Sequence, residues 1–232
     1  MPPDPSALRD WWPTTQSLDL VEGSIEDVAK ATSTVFAKIA QYSGDTHTAN
    51  WQTFKSLELA FSSVPYFDNV GSHLLLLPTH SKWVVLWRNS FLCDGSDSIC
   101  LPLTRQHGLT TIHWSAHDDW TTFQSGAMFH YRRNSAVGLV ERRVQAAQTD
   151  KRWDFFEQGE PLPEEDIEGY SARRKRDRLN EKRVIELLAR LDAHPWDERF
   201  YALSKQKVFC LSRPLPAKAI RRAPDEVNNR GP

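Results

Sequence analysis

Long apolar runs are missing from this sequence. Leu74 to Leu77 and Trp83 to Trp87 are far too short to cross a bilayer, which takes about 20 residues. Cysteine is scarce, with only Cys93, Cys100 and Cys210. An odd, low number argues against a disulfide framework and predicts free thiols in a reducing, cytoplasmic compartment. Cys93 and Cys100 are spaced to pair across a hairpin, but the reduced state is the expected one. The amino-terminal Met1-Pro-Pro-Asp-Pro-Ser lacks the basic and apolar stretches of a secretory leader. A charge of one sign is missing too. The 29 basic and 30 acidic residues leave a net charge of −1, so there is no general attraction to nucleic acid or an anionic membrane. No Gly-x-Ser-x-Gly elbow and no P-loop is present. No strand alternates with helix around a glycine-rich turn, which argues against a nucleotide-binding fold. No internal repeat is visible.

What is present is an ordinary globular composition. With 40% hydrophobic and 25% charged residues, the chain is not disordered as a whole. A chain of 232 residues can bury a full core without metal or disulfide staples. Nine tryptophans are a surplus. Some are expected near the surface, where tryptophan favours binding sites.

Read along the chain, residues 1–15 hold four prolines and no periodicity, and are expected to be a tail. Ser17–Val21 alternates like a strand. Ser24 with Asp27 predicts a helix start. Ile25, Val28, Ala29, Thr32, Phe36, Ile39 and Ala40 give that helix one apolar face, and Gly44 is placed to end it. A second helix is expected from Ala49 to Ser62. His73–Leu77 and Trp83–Trp87 flank a turn and are apolar on both faces, as in the middle of a sheet. Cys93–Cys100 reads as a loop. Further strands are expected at Thr110–Trp114, Ala127–Arg132, Gly138–Ala147 and Arg152–Gln158. After Pro163, acidic residues open a long helix that Gly169 is placed to interrupt. Val184, Leu187, Leu188 and Leu191 form its stripe, and Pro195 stops it. Arg199–Leu203 and Val208–Leu211 read as a closing hairpin. Residues 213–232 are expected to be a second tail.

Runs of helices and strands kept apart in this way predict an α+β fold. The expectation is a single domain over residues 16–212. Its antiparallel sheet has about six to eight strands, flanked by two amino-terminal helices and one long helix in the carboxy-terminal half.

Two polar stretches are candidates for chemistry. His113-Trp-Ser-Ala-His-Asp-Asp-Trp120 holds two histidines four apart, and Asp118 or Asp119 could complete a metal set. On a strand, however, His113 and His117 share a face at too long a reach to hold one ion. The plainer reading is a strand ending in a polar turn, and no metal or cofactor is expected. A cysteine nucleophile is disfavoured because Asp94 and Asp97 beside Cys93 raise a thiol pKa. The second stretch, Arg173-Arg-Lys-Arg-Asp-Arg178, puts Arg174 and Arg178 on one face at helical spacing. It reads as a solvated helix paired with the acidic residues around it, or as a docking surface for an acidic or phosphate-bearing partner.

Arg152–Asp166 leading to Tyr170–Leu179, together with Trp87–Gly95 and Gly108–Trp114, resembles segments of uncharacterised bacterial proteins. The resemblance associates the chain with immunity partners of polymorphic or contact-delivered toxins. It implies a binding protein that blocks a cognate toxin's active site or an essential surface. The expected contacts are Asp118, Asp119, Trp120, Arg173, Arg174, Arg176 and Arg178. Near-neutral charge makes a nuclease toxin the less expected partner, since immunity proteins against nucleases are often strongly acidic. The alternatives are a hydrolase or modification-reversing enzyme using His113, His117 and Asp118, and a nucleic-acid regulator using the basic run.

Overall fold

The computed structural model describes residues 17–43, 46–64, 71–89, 96–117, 126–149 and 152–214. The expected tail 1–15, and with it Gly44, Cys93 and Asp118–Trp120, lies outside them.

Among the described residues, one antiparallel sheet of nine strands organises the fold. In chain order the elements are β1 (Ser17–Glu22), α1 (Ile25–Ser43), β2 (Thr48–Gln52), α2 (Leu57–Ser62), β3 (Gly71–Pro78), β4 (Trp83–Arg88), α3 (Ser96–His107), β5 (Thr111–His117) and β6 (Gly126–Ser135). Then come β7 (Gly138–Thr149), β8 (Arg152–Gln158), α4 (Lys175–Arg178), α5 (Glu181–Arg190) and β9 (Val208–Pro214). The strand order is β2-β9-β3-β4-β1-β5-β6-β7-β8. The fold is therefore α+β, with more strands than the six to eight expected.

The first strand sits in the middle of the sheet and is buried on both faces. Leu18 and Leu20 enter one core with Leu75, Leu77, Trp83, Val85, Trp87, Ile112, Trp114, Phe129 and Val144. Helices α2 and α5 cover that first face through Leu57, Phe61, Val184, Leu187 and Leu188. Val21 enters a second core with Leu74, Leu76, Val84, Leu86, Phe209 and Leu211. Helices α1 and α3 cover it through Val28, Val35, Phe36, Ile99 and Leu103. The all-apolar runs of β3 and β4 are explained by this double cover. Each large apolar side chain so buried stabilises the fold by about 1.5–3 kcal/mol.

Helix α1 begins as its sequence predicts. The Asp27 N–H donates to Ser24 Oγ at 3.1 Å, and the Ser24 hydroxyl donates back to Asp27 Oδ2 at 2.7 Å.

Four elements depart from expectation. Ala49–Ser62 is not one helix. Residues Thr48–Gln52 pair with β9 instead, and only Leu57–Ser62 is helical, capped by Ser56, whose Oγ accepts the Leu59 N–H at 3.2 Å. The expected loop Cys93–Cys100 gives way from Ser96 to helix α3, which runs to His107 with Pro102 inside it. Burial of Ile99, Cys100 and Leu103 outweighs the backbone bond that proline forfeits. The long helix after Pro163 is a 3-10 turn at Ile167–Ser171, the single turn α4 and then α5. Asn180 starts α5 afresh, its side chain accepting the Arg183 N–H at 3.1 Å. Finally, Arg199–Leu203 is no strand. It joins the sheet only by the bridge of Tyr201 to Thr79, and β9 pairs with β3 and β2.

Candidate functional site

Sheet register gathers polar side chains on the face covered by α1 and α3. Asp19 on β1 lies opposite His113 on β5, and His113 lies opposite His130 on β6. His113 Nδ1 is 2.7 Å from Asp19 Oδ1, and Arg88 Nη2 donates to Asp19 Oδ2 at 3.2 Å. On its other side, His113 Nε2 is 3.5 Å from Ser17 Oγ. From α3 above, Cys100 interacts with Asp19. The row continues with Arg132, which donates from Nε to Glu141 at 3.0 Å and has Nη2 2.7 Å from His130 Nδ1.

Burial works against a charge on Asp19. The charge and hydrogen bond of His113, then Arg88 and Cys100, outweigh it and hold the carboxyl below its ordinary value. Cys100 goes the other way. Burial first, then the Asp19 charge, pushes its thiol well up, so it is protonated and a poor nucleophile. Cys100 and Cys210 are both free thiols.

The order carboxylate, imidazole, hydroxyl is that of an acid–base relay. Its solvent access is another matter: Asp19, His113 and Ser17 are 1%, 5% and 6% exposed. Closed in this way, the row ties β1, β4, β5 and α3 together. Of the expected set of His113, His117 and Asp118, only the side chain of His113 is described. Its ring is committed to Asp19, while the side chain of His117 and all of Asp118, Asp119 and Trp120 lie outside the described residues. Among the described residues, no group of three or more His, Cys, Asp or Glu side chains is placed to hold a metal ion.

A second buried cluster lies on the opposite face. Arg142 on β7 donates to Glu165 at 2.8 Å, to Glu157 at 2.9 Å and to the Gly159 carbonyl at 2.9 Å. The Tyr170 hydroxyl donates to the same Glu165 at 2.9 Å. The side chain of Glu165 is fully buried. Its place explains why the acidic stretch does not pair with the basic run, as a salt-bridged helix would require. It anchors the segment between β8 and α4 instead.

The basic run is helical for one turn only, Lys175–Arg178, and Arg173 and Arg174 lie outside it. Arg178 turns inward, donating to the Ala172 carbonyl at 2.9 Å and lying over the Phe155 ring at 5.3 Å. Lys175 bonds Asp154 of β8 at 2.8 Å, which pins the run against the β8 end of the sheet. Arg176 is exposed with Asp177 at 3.7 Å. Arg173 and Arg174 are exposed, and no ion pair reaches them among the described residues. Arg152, at the start of β8, is in the same condition. Helical spacing predicted Arg174 and Arg178 on one face; Arg174 instead precedes the helix with an extended backbone and is exposed, while Arg178 packs on Phe155.

Sequence reasoning passed over Asp19, Arg88, Arg142 and Glu165. A single charge inside an apolar strand was the available signal, as in Ser17-Leu-Asp-Leu-Val21. The chain contains no helix, among the described residues, long and apolar enough to cross a membrane. Comparison with protein-family models, with curated proteins and with solved structures finds no match for this chain.

Proposed function

We propose that this chain is a binding protein of the bacterial immunity type, which neutralises a cognate toxin by covering its active site or an essential surface. One observation carries the reading. Arg173 and Arg174 are exposed and without an ion pair among the described residues, and the Lys175–Asp154 bond next to them fixes them at the β8 end of the sheet. Exposed arginine is a common residue at contact centres. Its charge fits an acidic patch on a protein partner. Arg176 lies at the rim of this arginine corner, and Arg178 supports it from below. The buried histidine row supports the same reading from the other side, because its groups are spent on each other.

Co-expression with a toxin encoded beside this gene tests the proposal. The expected outcome is a co-purifying complex and protection of the host cell. Reversing Arg173 and Arg174 to Glu is expected to weaken the complex about ten-fold or more, and added salt to weaken the native one. A folded double variant that still protects would clear this corner of a role. Absence of both complex and protection would end the immunity reading.

A second reading has its own observation in the line from Asp19 through His113 to Ser17. It makes the chain a hydrolase whose Ser17 becomes accessible. A fluorophosphonate probe checks it: labelling mapped to Ser17 and lost in His113→Ala supports it, and an unlabelled Ser17 removes it.

A further inference from the structure

The two ends of the sheet differ. Strand β8 carries Arg152, Asp154 and Glu157, charges that discourage another strand from pairing there. Strand β2, Thr48-Ala-Asn-Trp-Gln52, has no charge and no proline, and all five of its residues are exposed. It pairs with β9 on one side only. Among the described residues, nothing pairs with its outer side. Trp51 packs one part of its ring on Phe209, at 4.9 Å between centroids, and leaves 41% of the residue open.

We propose that a second copy of this chain pairs with β2, edge to edge, to form a two-fold dimer with one sheet continuous through both copies. The sequence of β2 fits itself. Only the antiparallel register centred on Asn50 pairs all five residues. It sets Asn50 opposite Asn50, Ala49 opposite Trp51 and Thr48 opposite Gln52. Opposed residues then share a face, as an antiparallel ladder requires. Each large Trp51 meets the small Ala49 of the other copy, on the side where it already packs on Phe209. No like charges meet anywhere along the pair, whereas self-pairing of β8 would bring charges into the interface. Trp51 is the aromatic anchor of such a contact. The dimer does not depend on the toxin-binding reading, since the arginine corner is at the opposite end of the sheet.

Sedimentation velocity of the full chain over a concentration series tests this. The expected result is a species of twice the single-chain mass that dissociates on dilution. Asn50→Lys puts two like charges at the two-fold axis and is expected to give single chains, as is Asn50→Glu. An equimolar mixture of the two variants is expected to restore the doubled mass. Circular dichroism that matches the native chain shows each exposed-site variant to be folded. Single-chain mass for the native protein up to the millimolar range overturns the proposal. So does an Asn50→Lys variant that dimerises like the native chain, or a mixture that stays single.

Discussion

Glu165 shows what one buried side chain has to hold. It accepts from Arg142, from Tyr170 and from the Leu162 N–H at 2.8 Å. Removing one member of a buried ion pair leaves the other charge without compensation, which costs about 3–5 kcal/mol. Glu165→Ala is therefore expected to lower stability by about that amount, and urea unfolding measures it. A loss within error of zero would mean that Arg142 finds other acceptors. Asp19 makes a prediction in pH. Its folded pKa lies below the ordinary value of 3.8, so the folded state binds its proton less readily than the unfolded chain does. The stability it supplies is complete above roughly pH 5 and is lost as the pH falls through the ordinary value toward the lower folded one. Asp19→Asn is expected to be less stable at pH 7 and to show a flatter acid limb. An unchanged acid limb in the variant would refute this account. The thiols give a third prediction. Burial puts Cys100 well above its ordinary pKa and Cys210 up to about 11. Iodoacetamide at pH 8 is expected to modify neither until urea opens the fold, and peptide mapping reads the result directly.

Single elements are set by single residues, and this decided how much could be read from the sequence. Helix α1 and the runs of β3 and β4 were legible because capping, stripe and length agreed. Strand β2 was not, because Trp51, Phe54 and Leu57 mimic a helical stripe. What settles it is pairing with a strand far along the chain, Trp51 against Phe209, which no local pattern encodes. Helix α3 was hidden by Pro102. The buried histidine row was hidden for the same reason as β2: Asp19, Arg88 and His113 meet only through register. The arginine corner was legible as a run of charge, but its shape was not, because Asn180 restarts the helix after it. Asn180→Ala is expected to cost about 1 kcal/mol through loss of that cap. Gly159 is more demanding. It has φ +83°, and a Cβ there would lie 1.9 Å from the Glu141 carbonyl oxygen. Gly159→Ala is expected to destabilise by about 2 kcal/mol or more. Thermal unfolding of the two variants ranks them, and a milder effect at Gly159 than at Asn180 would contradict the geometry.

The whole molecule is held by pairings between distant parts of the chain. β1 lies between β4 and β5, and β9 lies between β2 and β3. Sheets closed by such long-range pairs fold slowly, because loop entropy is lost before contacts form. The place of β9 also has a consequence for synthesis. As the chain leaves the ribosome, Thr48–Gln52 has no partner until Val208–Pro214 follows it out. Until then β3 has a bare side too, so two hydrogen-bonding edges are open together in the nascent chain. Such edges invite pairing between neighbouring chains on one messenger. The last strand thus acts as a latch, and how soon it arrives sets the time for which the unfinished protein needs a chaperone.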